Sequence, residues 1–129
     1  MKWIVGIVSL VAIAAAWLWL QGDRERFDVV RAHVSGAVNE LTVARDVVSA
    51  EFARGKAMPA SRDFPATSKH VRGIKLESDG RLVATLSFPE AAFADGKHIV
   101  YEPRITGASL EWRCHSPDLE TKYLPASCR

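Results

Sequence analysis

Two cysteines and four histidines are the residues of this 129-residue chain whose types suit redox, metal or nucleophilic chemistry. Cys114 and Cys128 bracket the segment Cys114-His-Ser-Pro-Asp-Leu-Glu-Thr-Lys-Tyr-Leu-Pro-Ala-Ser-Cys128, whereas His33, His70, His98 and His115 are scattered. A structural zinc site asks for ligands in closely spaced pairs, and that spacing is absent, so no metal or other cofactor is expected. Serines and histidines are present, but no nucleophile-elbow or comparable signature sets one beside the other, so the chain does not read as an enzyme. Gly6 and Gly22 are too isolated to form a loop that cradles phosphate. The four histidines are therefore expected to be structural or solvated.

What remains for the cysteines is a disulfide. Such bonds persist outside the cytoplasm, and both cysteines lie downstream of an N-terminal apolar run that would deliver them there. Closing a loop of about 15 residues should stabilise the fold by roughly 3 kcal/mol. Around this loop Arg113, His115, Lys122 and Arg129 form a candidate polyanion-binding patch, for DNA or a surface polyanion, provided that they share one face. A second basic excess runs from Arg54 to Arg81, where seven cations (Arg54, Lys56, Arg62, Lys69, Arg72, Lys75 and Arg81) meet three carboxylates (Asp63, Glu77 and Asp79). A formal net charge of only +2 makes a solvated surface the plainer reading of that segment. Trp112 alternates with Cys114 and is expected to pack with the disulfide rather than to stack on a base or sugar, and Tyr101 and Tyr123 suit either burial or the surface.

The element that would carry these residues to a membrane is the stretch from Trp3 to Leu20, which contains no charged residue. As a helix it extends about 27 Å, close to the hydrocarbon thickness of a bilayer. Trp3 at one end and Trp17 and Trp19 at the other fit the aromatic belts of the two interfaces. Arg24, Arg26 and Arg31 would favour the cytoplasmic side by charge, but an oxidised loop places the C-terminal part outside it. The competing reading is a signal peptide cleaved at Ala14-Ala15-Ala16, which would release a soluble binding module after Ala16.

Beyond Gly22 the apolar positions Phe27, Val30, Val34, Val38, Leu41, Ala44, Val48 and Phe52 recur at gaps of three and four, the period of one helix face. Arg24, Glu25, Asp28, Arg31, Glu40, Arg45, Asp46 and Glu51 fall mostly elsewhere on the wheel. Arg54, a capping Gly55 and then Pro59 predict the helix end. If Gly22 does not interrupt it, span and amphipathic segment form one rod of about 50 residues. A loop from Lys56 to about Lys69 follows. Four short strands are expected next: Val71–Glu77 and Arg81–Phe88 around the turn Ser78-Asp79-Gly80, His98–Glu102 with Pro103 marking an edge or the strand end, and Leu110–His115 after the turn at Thr106-Gly107. The expected fold is α+β, an antiparallel four-stranded meander covered by the preceding helix. The chain divides into residues 1–22 as the span, 23–55 as the amphipathic helix, and 56–129 as the sheet head with its C-terminal disulfide loop.

The order helix, strand meander, Leu110-Glu-Trp-Arg-Cys114 and Lys122-Tyr-Leu-Pro-Ala-Ser-Cys-Arg129 resembles the post-membrane part of bacterial type IV pilins. So do the helix segments Arg31-Ala-His-Val-Ser-Gly-Ala-Val-Asn-Glu-Leu41 and Ala44-Arg-Asp-Val-Val-Ser-Ala-Glu-Phe52, and the likeness covers about residues 27–129. It implies a structural subunit without a cofactor, anchored through residues 3–20 in the bacterial inner membrane. The head would lie in the periplasm, with other pilin subunits or pilus assembly proteins as partners. The family's helices bundle in the filament core, which would bury the Ile, Val, Leu and Ala side chains of the first segment. At the N-terminus the chain departs from the family, whose mature sequence starts Phe-Thr-Leu-Ile-Glu after a charged leader ending in Gly. Here Gly6 is followed by Ile7-Val8-Ser9-Leu10-Val11, so Val11 stands where the family has its glutamate. The resemblance thus carries no expectation of leader processing or carboxylate-guided registration. It leaves open an atypical or minor subunit and an uncleaved inner-membrane modulator of pilus assembly.

Overall fold

The computed structural model describes residues 2–129; the side chains of residues 2–5, 23 and 25, among them the interfacial Trp3 and the polar-face Glu25, lie outside the described set. A single helix, α1 (Lys2–Gly55), runs for 54 residues straight through Gly22, about 80 Å of rod. A side chain at Gly22 would meet open space, so the glycine answers no packing demand there, and an isolated glycine costs a helix only about 1 kcal/mol. All seven apolar positions of the expected stripe from Val30 to Phe52 are buried, and Phe27 is half-buried. Gly55 is the last helical residue, so the left-handed cap falls one residue later than expected. Lys56 takes φ 54°, and its N–H donates to the Phe52 carbonyl at 2.6 Å.

The sheet has five strands among the described residues, not the four expected. In order they are β1 (Arg62–Phe64), β2 (Val71–Leu76), β3 (Leu82–Leu86), β4 (His98–Thr106) and β5 (Ser109–His115), a fully antiparallel meander β1-β2-β3-β4-β5. The extra strand lies inside the segment expected to be loop. Arg-Asp-Phe has no apolar alternation to announce it, and tertiary contacts hold it. Arg62 pairs with Glu51 of α1 at 2.6 Å, and Ser61 Oγ donates to the Leu76 carbonyl at 2.8 Å. Strand β4 continues through Pro103, where an edge or a strand end was expected, and it is the edge that forms. Pairing with β3 ends at Leu82–Tyr101, so at Pro103 only β5 flanks the strand and the missing N–H breaks no ladder on the β3 side.

A bulge between Val71 and Gly73 resets the alternation of β2, which is how Val71, Ile74 and Leu76 all face inward despite their mixed parity. The β2–β3 turn needs its glycine: Gly80 sits at φ 90°, and a Cβ there would come within 2.9 Å of Met58 Cε. Val34, Leu41 and Val48 of α1 meet Leu76, Leu82, Leu86 and Ile99 of the sheet in one core, all fully buried. Helix and sheet therefore form a single two-layer α+β head, from which the N-terminal part of α1 projects.

Candidate functional site

The C-terminal loop is closed by the Cys114–Cys128 disulfide, with the Cα atoms 4.5 Å apart. Cys114 occupies an inward position on β5 opposite Tyr101, and Cys128 ends a single 3₁₀ turn, Ala126–Cys128. Between them the chain is held at several points. Asp118 accepts the backbone N–H of His98 at 2.8 Å and lies 2.7 Å from His98 Nδ1. Ser116 Oγ donates to the His98 carbonyl at 2.5 Å and accepts the Leu119 N–H at 3.0 Å. Leu119 and Leu124 are buried, and Arg129 Nε donates to the Leu124 carbonyl at 3.0 Å. Burial pushes the Asp118 carboxyl up, but the hydrogen bonds from His98 and Ser116 together outweigh it and hold the group below its ordinary value.

Serine, aspartate and histidine meet here in the wrong order for acyl transfer. His98 turns Nδ1 to the Asp118 carboxylate, as a triad histidine would, but the Ser116 hydroxyl donates to the His98 carbonyl and not to its imidazole Nε2, so the serine has no base beside it here. The cluster is a cap that fastens the loop to β4. Among the described residues no group of three or more metal-ligating side chains gathers anywhere.

The seam between α1 and the head is fastened by polar contacts of the same kind. Glu40 Oε1 accepts from the Thr67 N–H, the Thr67 hydroxyl and the Ser68 N–H at 2.5, 2.5 and 3.1 Å. Burial raises that carboxyl, and these bonds more than reverse the effect. Trp112 reaches the helix: its indole N–H donates to Ser49 Oγ at 2.8 Å and its ring meets Tyr101 edge-on. His33 of α1 lies 3.8 Å, ring to ring, from the buried His70, which stacks in turn on Phe88.

Of the four residues of the candidate polyanion patch, Arg113 and His115 share the outer face of β5. Glu102 pairs across the strands with Arg113 and puts Oε1 3.0 Å from His115 Nε2, close but not aligned as a hydrogen bond. Lys122 lies 3.4 Å from Glu120 and shares a groove with Arg24, Arg26 and Phe27 of the helix, while Arg129 folds back on Leu124. In the Arg54–Arg81 segment, Arg62 pairs with Glu51, Arg72 with Asp95, and Arg81 with Glu77 and Asp79.

Two surfaces escaped the reading of the residues alone. One is a second apolar strip on α1, where Val29, Val43 and Val47 are 52%, 66% and 40% exposed. Helical spacing puts them with the exposed Gly36 on a face turned away from the core stripe, a pattern visible only once the inward face is fixed. The other is the neck, where Phe27, Phe93 and Tyr123 stack at the point where α1 leaves the head. The part of α1 before the neck is long and apolar enough to cross a bilayer, and the head covers none of it.

A helix apolar at one end, packed at the other on an antiparallel sheet with a disulfide-closed C-terminal loop, is the build of a filament subunit. The chain belongs to the pilin family of bacterial filament proteins, whose family model matches residues 30–129. Comparison with curated proteins finds no match to the chain. The pilin family is structural and non-enzymatic, and membership implies assembly with other pilin subunits in a pilus.

Proposed function

We propose that this pilin-family protein is a minor or atypical subunit that contributes to pilus structure or assembly, anchored in the bacterial inner membrane through residues 3–20 with its head in the periplasm. The observation that carries the reading is the uncovered apolar surface of α1. From Gly6 to Leu20 every residue is exposed, and the Val29, Gly36, Val43 and Val47 strip prolongs that apolar surface alongside the head. Such a surface is covered by lipid where it spans the membrane and by neighbouring helices where a filament assembles, and a small residue such as Gly36 lets a second helix approach closely.

Val11 supports a second form of the proposal. Where the family pattern has a glutamate this helix is apolar, which suits a membrane-resident relative that modulates assembly without entering the filament. Replacing Val43 and Val47 together by glutamate separates the two. Both side chains point away from the head core, so the head keeps its stability, and a filament subunit should disappear from sheared pili while remaining in the membrane. Absence of the unaltered protein from sheared pili supports the modulator. Unchanged incorporation of the double variant sinks the helix-strip assignment.

A further inference from the structure

We propose that the neck of the head is a docking surface for anionic phospholipid headgroups, so that the head lies against the bilayer that its own helix crosses. The proposal rests on the membrane-anchored reading above and adds a partner to it. Two open grooves of about 450 and 730 Å³ flank α1 where it emerges from the head. Arg24, Arg26 and Lys122 stand on their walls, and no carboxylate lines the first groove among the described residues, although Glu90 borders the second.

The aromatic part is a ladder made by three elements. Tyr123, from the disulfide loop, packs on Phe27 of α1 with ring centroids 5.3 Å apart and on Phe93 of the β3–β4 connector at 4.9 Å. Phe93 remains 44% exposed and adds an apolar face to the edge of the neck beside Tyr123. Lys122 Nζ lies 5.1 Å above the Tyr123 ring, so a cation and an aromatic face share one edge.

Covalent geometry fixes what this surface must meet. Trp17 and Trp19 are exposed at the end of the apolar run, and Leu20 already lines the same groove as Lys122. Arg24 follows Trp19 by five residues, about 7.5 Å along the helix, whereas the polar layer of a bilayer is roughly 5–7 Å deep on each side. If the tryptophans mark the interface, the Arg24 and Arg26 backbone lies just outside that layer, their long side chains, tilted toward the helix N-terminus, reach back to the phosphates, and the aromatic ladder sits above the headgroups. Asp23, Glu25 and Asp28 in the sequence, and Glu120 at 3.4 Å from Lys122 Nζ, keep the neck near neutrality, so recognition rests on which charges the grooves present, not on net charge.

The test is hydrogen exchange on the full chain in nanodiscs of phosphatidylcholine alone and of phosphatidylcholine mixed with phosphatidylglycerol. Amides of residues 91–96 and 121–124 should exchange more slowly in the anionic discs. Arg24→Gln, Arg26→Gln and Lys122→Gln should each reduce the added protection about fivefold, Lys122→Arg should keep it, and added salt should erase it. Equal rates in the two lipids, as contact with a second copy of the chain or purely apolar seating would give, overturn the proposal. Amides of residues 7–20 in the same samples report on the span itself. If they exchange freely, the membrane-anchored reading fails, whereas a protected span beneath an indifferent neck defeats this proposal alone. Unchanged protection in β3 and β4 confirms that each variant is folded.

Discussion

The two ends of α1 share one backbone and have opposite surroundings. Leu41 near the C-terminal end is fully buried, while Leu10 near the other is 69% exposed. A helix can do this because it satisfies its backbone hydrogen bonds internally, whether its side chains meet protein, water or lipid. Side chains alone decide the cover. The Val30–Phe52 stretch finds its cover within the chain, on the inner faces of β2 to β4, and the Gly6–Leu20 stretch depends on something the chain does not supply. Stability of the head and placement of the protein should therefore be governed by different halves of one element.

The sharpest way to break that separation is to cut the same side chain in both halves. Leu41→Ala opens a cavity beneath β3 and should cost the head about 3 kcal/mol, read as a lower urea midpoint in detergent. Leu10→Ala should leave that midpoint unchanged and weaken only retention in the membrane. A comparable loss of head stability from Leu10→Ala would show that the two ends are energetically one unit.

The disulfide tests whether the head, once separated from lipid, relies on its own cross-link. Cys114→Ser should destabilise the head by roughly 3 kcal/mol on the chain-entropy model, and Cys128→Ser equally. The double variant should be no worse than either single one, because the bond is lost once. Protease digestion should then cut first within residues 115–127, where the buried Leu119 and Leu124 would no longer be held down. An uncut loop in the reduced protein would mean that the Ser116–Asp118–His98 cap suffices on its own.

The same contrast explains what could be read from the residues. The core stripe, the β2–β3 turn and the disulfide were legible because each follows from local period, turn chemistry or compartment, whereas the continuous rod was legible only on condition that Gly22 did not break it. Strand β1 was not. Arg62-Asp-Phe64 carries no alternation, and its place on the sheet edge comes from Glu51 and the β2 backbone, partners remote in sequence. Pro103 was legible in part: a proline rules out a central strand position, but whether it marks an edge or the strand end depends on where β3 stops flanking β4. The Glu40 clamp, the His33–His70 stack and the aromatic neck join residues 27 or more positions apart, and neither period nor motif signals such meetings. The basic patch shows the converse limit. Three cations and a histidine near one loop in sequence were divided by the fold between the outer face of β5, the neck and the chain end.

The smallest expected effect concerns how the seam between α1 and the sheet responds to acid. Burial first, then the nearby positive charge of His70 and Lys69, hold the His33 imidazole below its ordinary 6.5, with the Glu90 carboxylate opposing. His70 itself is buried, with Nδ1 3.2 Å from the Ser87 carbonyl and 3.7 Å from Glu90 Oε1. A base whose folded pKa is depressed takes up its proton more readily when unfolded. Its contribution to stability is therefore complete above 6.5, falls as the pH drops through that value, and levels off below the folded pKa. Glu40 and Asp118 run on a lower window, because their carboxyls lie below the ordinary 4.5 and 3.8 and their contributions fade only in stronger acid. Between pH 7.5 and 5.5 the urea midpoint of the head should fall slightly, and His33→Gln should flatten that fall while leaving the loss below pH 4 in place. An equal slope in the variant would remove His33 from the seam's acid response, and the stacked rings would then count only as packing.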